Sequence, residues 1–113
     1  MIMAYYNNVL VINSKEIVFE KDIKCIIEFE DKVIIQIWNL ATGNIKQQPY
    51  NNIYAYNANT DYLWNIKEIV KVDGIYTQIR LDENNMLIVN EFIGRRYIID
   101  INNRQVIDDK AYK

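Results

Sequence analysis

The segment IIEFEDKVIIQIW, residues 26–38, contains two apolar runs that are separated by a polar turn at Glu30–Lys32. A later segment, TQIRLDENNMLIV at residues 77–89, repeats this order of apolar run, polar turn and apolar run. Branched apolar side chains that alternate in short runs are typical of β-strands. The two segments therefore predict two copies of one antiparallel hairpin.

The alternation begins before the first segment. In IKCIIEFE, residues 23–30, we expect Ile23, Cys25, Ile27 and Phe29 on one face of a strand, because successive side chains point to opposite faces of a sheet. The lone Cys25 lies among isoleucines, and we interpret it as a small buried hydrophobic residue.

A second hairpin follows each copy of the first, as IYAYNANTDYLWNI at residues 53–66 and YIIDINNRQVID at residues 97–108. The chain thus contains pseudo-repeats at about residues 23–66 and 74–109, each with the pattern of a four-stranded meander. The first repeat carries an additional loop, residues 39–49, and a further predicted hairpin precedes it. That hairpin joins the strands VLVIN (9–13) and EIVFE (16–20).

The stretch TDYLWNIKEIVKV, residues 60–72, also allows a helix. Leu63, Ile66 and Val70 have near-helical spacing, and Asp61 could cap the first turn. The Tyr-Leu-Trp and Ile-Val runs favour a strand, and we predict a strand at residues 62–66.

The composition predicts a single all-β domain over residues 1–113. The chain has 21 Ile and 9 Tyr but only 3 Gly and 1 Pro. Branched and aromatic side chains fit a pleated surface, so this excess favours β-structure. A chain of 113 residues is long enough for one core and too short for two ordinary domains.

The charges are mixed, with a net charge of −2 and no basic run, so we expect no binding to nucleic acid. Cys25 has no partner for an internal disulfide, which suits a reducing compartment. The first residues, MIMAYYNNVLVI, lack a basic start and are interrupted by Asn7 and Asn8. This pattern is typical of neither a signal peptide nor a membrane span. We therefore expect a cytoplasmic protein without membrane contact.

The predicted hairpins resemble the outer half of a β-propeller blade of the pyrroloquinoline-quinone or WD-repeat type. The stretches VIIQIWNLATGNI (33–45), 53–66 and 97–108 carry the resemblance. At least four blades close a ring, and two copies cannot. The layout also resembles small, uncharacterised bacterial all-β proteins that end in a Tyr-x-Ile-Asp-x-x-x-Gly-x-x-Ile hairpin. Here Asn103 or Arg104 takes the place of that glycine.

Two four-stranded meanders must cover their apolar faces, and the simplest solution is that they cover each other. We therefore expect the blade-like meanders to pack as a sandwich or an open barrel. Both sheets would keep open edges, and an open edge can pair with a strand of another chain. The sequence therefore allows a homodimer formed by edge or face contact.

The sequence lacks most of the groups that carry enzyme chemistry. It has no histidine, which excludes Ser-His-Asp and Cys-His catalysis and histidine metal ligands. One cysteine cannot build a closed zinc site. Carboxylates cluster at two predicted turns, where side chains are normally solvated, and near the end of the sequence. The turn residues are Glu28, Glu30, Asp31, Asp82 and Glu83, and the pair near the end is Asp108 and Asp109. We expect no catalytic residues, no metal and no cofactor.

The turn NANTD, residues 57–61, together with Glu68 is similar in spacing to a calcium-binding loop. Tyr62 stands where such a loop needs glycine, and the first ligand position is uncharged. We interpret this stretch as an Asx-rich hairpin turn.

The aromatic residues of the hairpin at residues 53–66 are the candidate binding site. On regular strands Tyr54, Tyr56, Tyr62 and Trp64 share one face, with Tyr50 beside them. This patch could be core. The alternative is that Ile53, Ala55 and Leu63 face the core and the aromatic residues face outward, as tyrosine and tryptophan often do in protein interfaces.

Two functions fit these observations. The first is a non-catalytic protein-binding module, such as a toxin-immunity protein or a phage-coded inhibitor that occludes a protein partner. The second is a β-protein that binds a small ligand or carbohydrate in an aromatic-lined trough. The missing catalytic groups favour the first.

Overall fold

The computed structural model describes residues 1–111, where eleven strands form three antiparallel sheets. The last two residues of the predicted domain, 112 and 113, lie outside this range. The strands are β1 (Met3–Tyr6), β2 (Val9–Ile12), β3 (Lys15–Val18), β4 (Asp22–Phe29), β5 (Lys32–Trp38), β6 (Ile53–Asn57), β7 (Tyr62–Asn65), β8 (Tyr76–Leu81), β9 (Leu87–Glu91), β10 (Arg95–Asp100) and β11 (Gln105–Ala111). A five-residue helix, α1, spans Ile66–Val70.

The strands pair with their neighbours in the chain. Strands β1–β3 form the N-terminal sheet, β4–β7 the central sheet and β8–β11 the C-terminal sheet. The all-β prediction and the two four-stranded antiparallel meanders are therefore confirmed. None of the three sheets closes into a barrel.

Strand β5 is buried on both of its faces. Every residue from Val33 to Trp38 is buried, because the side chains that alternate along β5 enter two different cores. Val33, Ile35 and Ile37 pack toward the N-terminal sheet. Ile34 packs with residues of the C-terminal sheet. The central sheet is therefore the middle of three layers.

The larger core fills the space between the central sheet, the C-terminal sheet and α1. Its buried members are Ile34, Ile53, Ala55, Trp64, Ile66, Ile69, Tyr76, Leu87, Val89, Tyr97, Ile99 and Ile101. The smaller core lies between the N-terminal and central sheets and contains Leu10, Ile12, Phe19, Ile23, Val33, Ile35 and Ile37. Burying an aliphatic side chain of this size is worth about 1.5–3 kcal/mol, so both cores are substantial.

The N-terminal sheet adds a layer to the predicted two-sheet packing. The hairpin of β2 and β3 agrees with the prediction, but β1 was not predicted. Its sequence, MAYY, is short and does not alternate between apolar and polar residues, so periodicity gives no signal for it.

A β-bulge corrects the predicted face of β4. The pairing of β4 with β5 shifts register between Ile23 and Cys25. An extra residue in one strand reverses the side-chain alternation beyond it. Ile23 therefore enters the smaller core, whereas Ile27 and Phe29 pack against the larger one. The prediction that Ile23 shares their face is wrong.

A buried polar junction joins the central sheet to the start of β8. The side chain of Asn52 is fully buried and donates to the carbonyl oxygens of Tyr76 at 2.9 Å and Ile37 at 3.1 Å. Its own oxygen accepts from the Tyr76 backbone N–H at 2.8 Å. Gln36, also buried, donates to the same Tyr76 carbonyl at 2.9 Å. These bonds fix where β8 meets β5 and β6.

The inserted loop has its own polar centre. A short 3-10 helix spans Ile45–Gln47, and the buried side chain of Gln48 follows it. That amide accepts from the Asn39 backbone N–H at 2.7 Å and donates to the Thr42 carbonyl at 3.0 Å. The loop is therefore tied to the end of β5 by hydrogen bonds.

Asparagine performs much of the turn formation that glycine performs in other chains. Asn7, Asn13, Asn51 and Asn85 have positive φ, between 48° and 61°. Asparagine tolerates this left-handed conformation better than most residues. Arg104 also has positive φ, 55°.

Within residues 1–111, the helices fall short of the length and apolarity that crossing a membrane requires.

We predict that Asn52→Ala destabilises the protein by about 2–4 kcal/mol, because it removes the bonds that the buried Asn52 side chain makes to the Tyr76 N–H and to the Ile37 carbonyl. Urea unfolding measures the loss. The matched control is Asn59→Ala, at an exposed turn position, which we expect to cost less than about 0.5 kcal/mol. Equal stabilities of the two variants would contradict the structural role of the junction.

Candidate partner-binding surface

Four aromatic rings form a cluster at the β6–β7 side of the central sheet. We call Phe19, Tyr54, Tyr56 and Tyr62 the aromatic cluster. The Phe19 ring centre lies 5.5 Å from that of Tyr54 and 5.9 Å from that of Tyr56. The ring of Tyr62 meets Tyr56 edge-on at 5.8 Å. These are favourable separations for aromatic pairs, so the rings support one another.

Trp64 does not belong to this cluster. The pairing of β6 with β7 shifts register between Ala55 and Tyr56, so that Trp64 lies opposite Ala55 while Tyr62 lies opposite Tyr56. Trp64 is 1% exposed and belongs to the larger core, on the other face of the sheet. The prediction that all four aromatic residues of the hairpin share one face is therefore wrong for Trp64.

The remaining predicted residues differ in exposure. Tyr54 and Tyr56 are half-buried against the smaller core, and burial raises the pKa of both phenols. Tyr62 is half exposed. Tyr50 is 63% exposed in the turn before β6, and none of the ring contacts within residues 1–111 joins it to the aromatic cluster. The structure thus brings together Tyr54, Tyr56 and Tyr62 and leaves Tyr50 apart.

A carboxylate anchors the outer end of the cluster. Tyr62 donates its hydroxyl hydrogen bond to Glu68 of α1. The same carboxylate accepts from the Asn65 backbone N–H at 2.8 Å, and the Asn65 side chain accepts from the Lys67 N–H at 3.0 Å. This reciprocal capping box begins the helix immediately after β7. The predicted strand at residues 62–66 therefore ends one residue earlier.

These contacts have opposite effects on the two titratable groups. Burial and the bond to Glu68 raise the pKa of Tyr62. The hydrogen bonds from Tyr62 and Asn65 lower the pKa of Glu68 below its usual value of 4.5. Tyr62 therefore stays protonated and Glu68 stays charged at neutral pH.

The outer face of the N-terminal sheet is a second candidate surface, which the sequence reasoning missed. Tyr6, Val9 and Val18 lie side by side across the three strands. Tyr6 is 57% and Val18 is 67% exposed, whereas Leu10 and Ile12 on the opposite face are fully buried. This outer apolar face consists of Ala4, Tyr6, Val9, Val11 and Val18, and Glu16 lies opposite Val11.

The sequence of β2 indicates that both of its faces are apolar. A strand with one solvated face normally alternates apolar and polar residues, but VLVI is apolar at every position. Such a strand is expected to be covered on both sides. Within residues 1–111, the smaller core covers Leu10 and Ile12, and Val9 and Val11 stay partly exposed.

The aromatic cluster and the outer apolar face approach each other at the end of β3. Val18 is exposed, and the next residue, Phe19, turns inward to contact Tyr54 and Tyr56. The apolar row therefore ends beside the aromatic cluster.

Several of the carboxylates that the sequence groups together have local partners, at the turns and on β11. Lys32 contacts Glu30 and Asp31, Arg95 pairs with Asp109, and Lys110 pairs with Asp108. Asp82 accepts from the backbone N–H groups of Asn84 at 2.8 Å and Met86 at 2.9 Å. These are the contacts of surface ion pairs and turn residues.

The turn at residues 57–61 is the Asx turn that the sequence predicts. The Asn57 side-chain oxygen accepts from the backbone N–H groups of Asn59 at 2.9 Å and Asp61 at 3.0 Å. Glu68 is directed to Tyr62 and Asn65 instead. Across residues 1–111, His, Cys, Asp and Glu form no group of three or more that could hold a metal ion.

In a comparison with protein-family models, residues 1–111 match a family described as "Domain of unknown function (DUF7957)". The chain belongs to this family. Its description states no activity. Comparison with curated proteins and with solved structures finds no match. The resemblances to propeller blades and to bacterial proteins therefore stay predictions.

We predict that the hydrogen bonds to Glu68 make the free energy of unfolding depend on pH in the acid range. Because the folded pKa of Glu68 lies below its usual value, the stabilisation is complete above about pH 5 and is lost as the pH falls through the folded pKa. The carboxylate is exposed and screened, so the effect stays below about 1 kcal/mol.

Urea unfolding of the wild type and Glu68→Gln at several pH values measures this effect. The difference in unfolding free energy should be largest near neutrality and should shrink in acid. Tyr62→Phe is the matched partner variant, because it removes the hydroxyl that donates to Glu68. The difference in unfolding free energy that Glu68→Gln causes should therefore be smaller when position 62 is phenylalanine. A gap between wild type and Glu68→Gln that is constant from neutral to strongly acidic pH would contradict the assignment.

Proposed function

We propose that this chain is a non-catalytic protein-binding module that acts by occluding the surface of a protein partner. The observation that carries the proposal is the outer apolar face of the N-terminal sheet. Small folded proteins rarely leave a contiguous apolar face on a sheet without a covering layer, and such faces often mark protein contacts.

The aromatic cluster supports the same proposal. Tyrosines that expose part of a ring bury large areas at little entropic cost when a partner docks. Tyr62 is held in place by Glu68, and Tyr54 and Tyr56 are held by Phe19. A surface that is rigid before binding loses less side-chain entropy on binding, which favours affinity.

The biological setting is also part of the proposal. We infer an immunity protein or a phage-coded inhibitor in the bacterial cytoplasm, on the basis of the hairpin resemblance and the lack of histidine. Both classes act by covering a partner and need no reactive group of their own.

Photocrosslinking tests the proposal. A benzophenone amino acid at position 18 should capture one protein in lysate of the native host, whereas the same probe at position 107 should not. Ile107 is the matched control, because it is 55% exposed on an edge strand of a different sheet.

Affinity measurements with the purified, captured protein complete the test. We expect Val18→Glu to weaken binding at least about tenfold, because it places a charge in an apolar contact, and Ile107→Glu to leave binding unchanged. Circular dichroism checks that both variants fold. Equal capture from both positions, an unchanged affinity of Val18→Glu, or capture of only a second copy of this chain would overturn the proposal.

A further inference from the structure

A cleft separates the edge strands β4 and β8, which belong to the central and C-terminal sheets. Its volume is about 410 Å³, at the lower end of the range for small-molecule sites. The aromatic cluster lies at the β6–β7 side of the central sheet, so the cleft is at the opposite edge. Binding in the cleft is therefore independent of the proposed partner surface.

The charge in this cleft is of one sign. Lys24 and Arg80 line it, and its other lining residues are uncharged, although the chain as a whole is acidic. Gln36, Thr77 and Gln78 add polar groups. An ammonium group and a guanidinium group in one concave site are the usual recognition elements for phosphate.

Lys24 is held in position before any ligand arrives. Its ammonium nitrogen donates to the Thr77 carbonyl at 2.9 Å and stands 4.5 Å from the ring centre of Trp38. An ammonium group has three hydrogens, so donors remain for a ligand after the Thr77 bond. A cation that is fixed in this way loses little freedom when an anion binds.

The other part of the cleft is less polar. Cys25 and Ile79 line it beside the two cations. Cys25 is partly buried, and burial raises the pKa of its thiol. The cleft therefore offers an apolar wall next to a cationic one.

We propose that this cleft binds a small phosphorylated organic molecule. Lys24 and Arg80 contact its phosphate, and Cys25 and Ile79 contact its organic part. A phosphate monoester carries a charge of about −1.5 to −2 at neutral pH, which matches the two cations better than a single carboxylate does.

The lone thiol provides the assay, since Cys25 is the one cysteine of the chain and lines the cleft. The probes are glucose 6-phosphate and adenosine monophosphate, with glucose and adenosine as their uncharged counterparts. The rate of alkylation of Cys25 by neutral iodoacetamide is measured at rising probe concentration, and calorimetry measures binding directly. We expect at least one phosphorylated probe to bind saturably and to slow alkylation about fivefold or more, and its counterpart to do neither.

Substitutions locate the binding. Arg80→Gln, at an exposed position, and Lys24→Gln should each lower the affinity for the phosphorylated probe that binds by about tenfold or more, because each removes a charged contact. Lys15→Gln, an exposed lysine on β3, is the control and should change nothing. Circular dichroism and thermal unfolding confirm that the variants fold.

Three results would overturn the proposal. They are the absence of both heat and protection with every phosphorylated probe at millimolar concentration, equal effects of the uncharged counterparts, and unchanged affinity in both Arg80→Gln and Lys24→Gln. The partner-binding proposal would stand in each case, since its test uses positions 18 and 107.

Discussion

The double burial of β5 is the constraint on which the rest of the structure depends. A strand that is apolar on both faces cannot be satisfied by one neighbouring layer. Val33, Ile35 and Ile37 require the N-terminal sheet, and Ile34 requires the C-terminal sheet. Because hydrophobic burial is the main favourable term in folding, the two cores recruit the outer sheets onto a common central strand.

Hydrogen bonding then fixes the geometry that burial leaves open. Apolar contacts are not directional, so they define which layers meet but not the angle or register of the meeting. At the junction of β5, β6 and β8, the side chains of Gln36 and Asn52 pair with the backbone of Tyr76 inside the protein. A slip of this contact would leave several buried polar groups without partners, which makes one register strongly preferred.

The candidate surfaces follow from this layering. The central sheet is covered on both faces, so exposed apolar area is found where the layers end. One such place is the outer face of the N-terminal sheet, and the other is the aromatic cluster, where Tyr54 and Tyr56 are partly buried and Tyr62 is half exposed. The cleft between β4 and β8 arises because two edge strands from different sheets approach without pairing along their length. The fold thus supplies both an exposed apolar surface and a cationic cleft.

Much of the strand order could be predicted from sequence, because alternation and polar turns are local signals. The hairpins at residues 26–38, 77–89 and 97–108 agree with β4–β5, β8–β9 and β10–β11. The faces were less predictable. A bulge after Ile23 and another beside Ala55 each reverse the alternation, and nothing in either stretch marks the extra residue. Regular alternation therefore predicts the wrong face for Trp64.

The layers were the least predictable feature. Pairing between sheets is a long-range contact that periodicity does not report. The largely apolar sequence of β5, VIIQIW, was the available indication of burial on two sides, and the four-residue β1 gave none. For the same reason the cleft could not be foreseen, since Lys24 and Arg80 are far apart in the chain.

Native-state hydrogen exchange, measured by NMR for each backbone amide, tests the central claim most directly. If β5 holds the three layers together, its hydrogen-bonded amides exchange only through global unfolding, with opening free energies equal to the unfolding free energy measured in urea. The account is contradicted if the β5 amides open well below that value while those of β9 and β10 stay protected. That result would mean that the C-terminal sheet persists without the central strand.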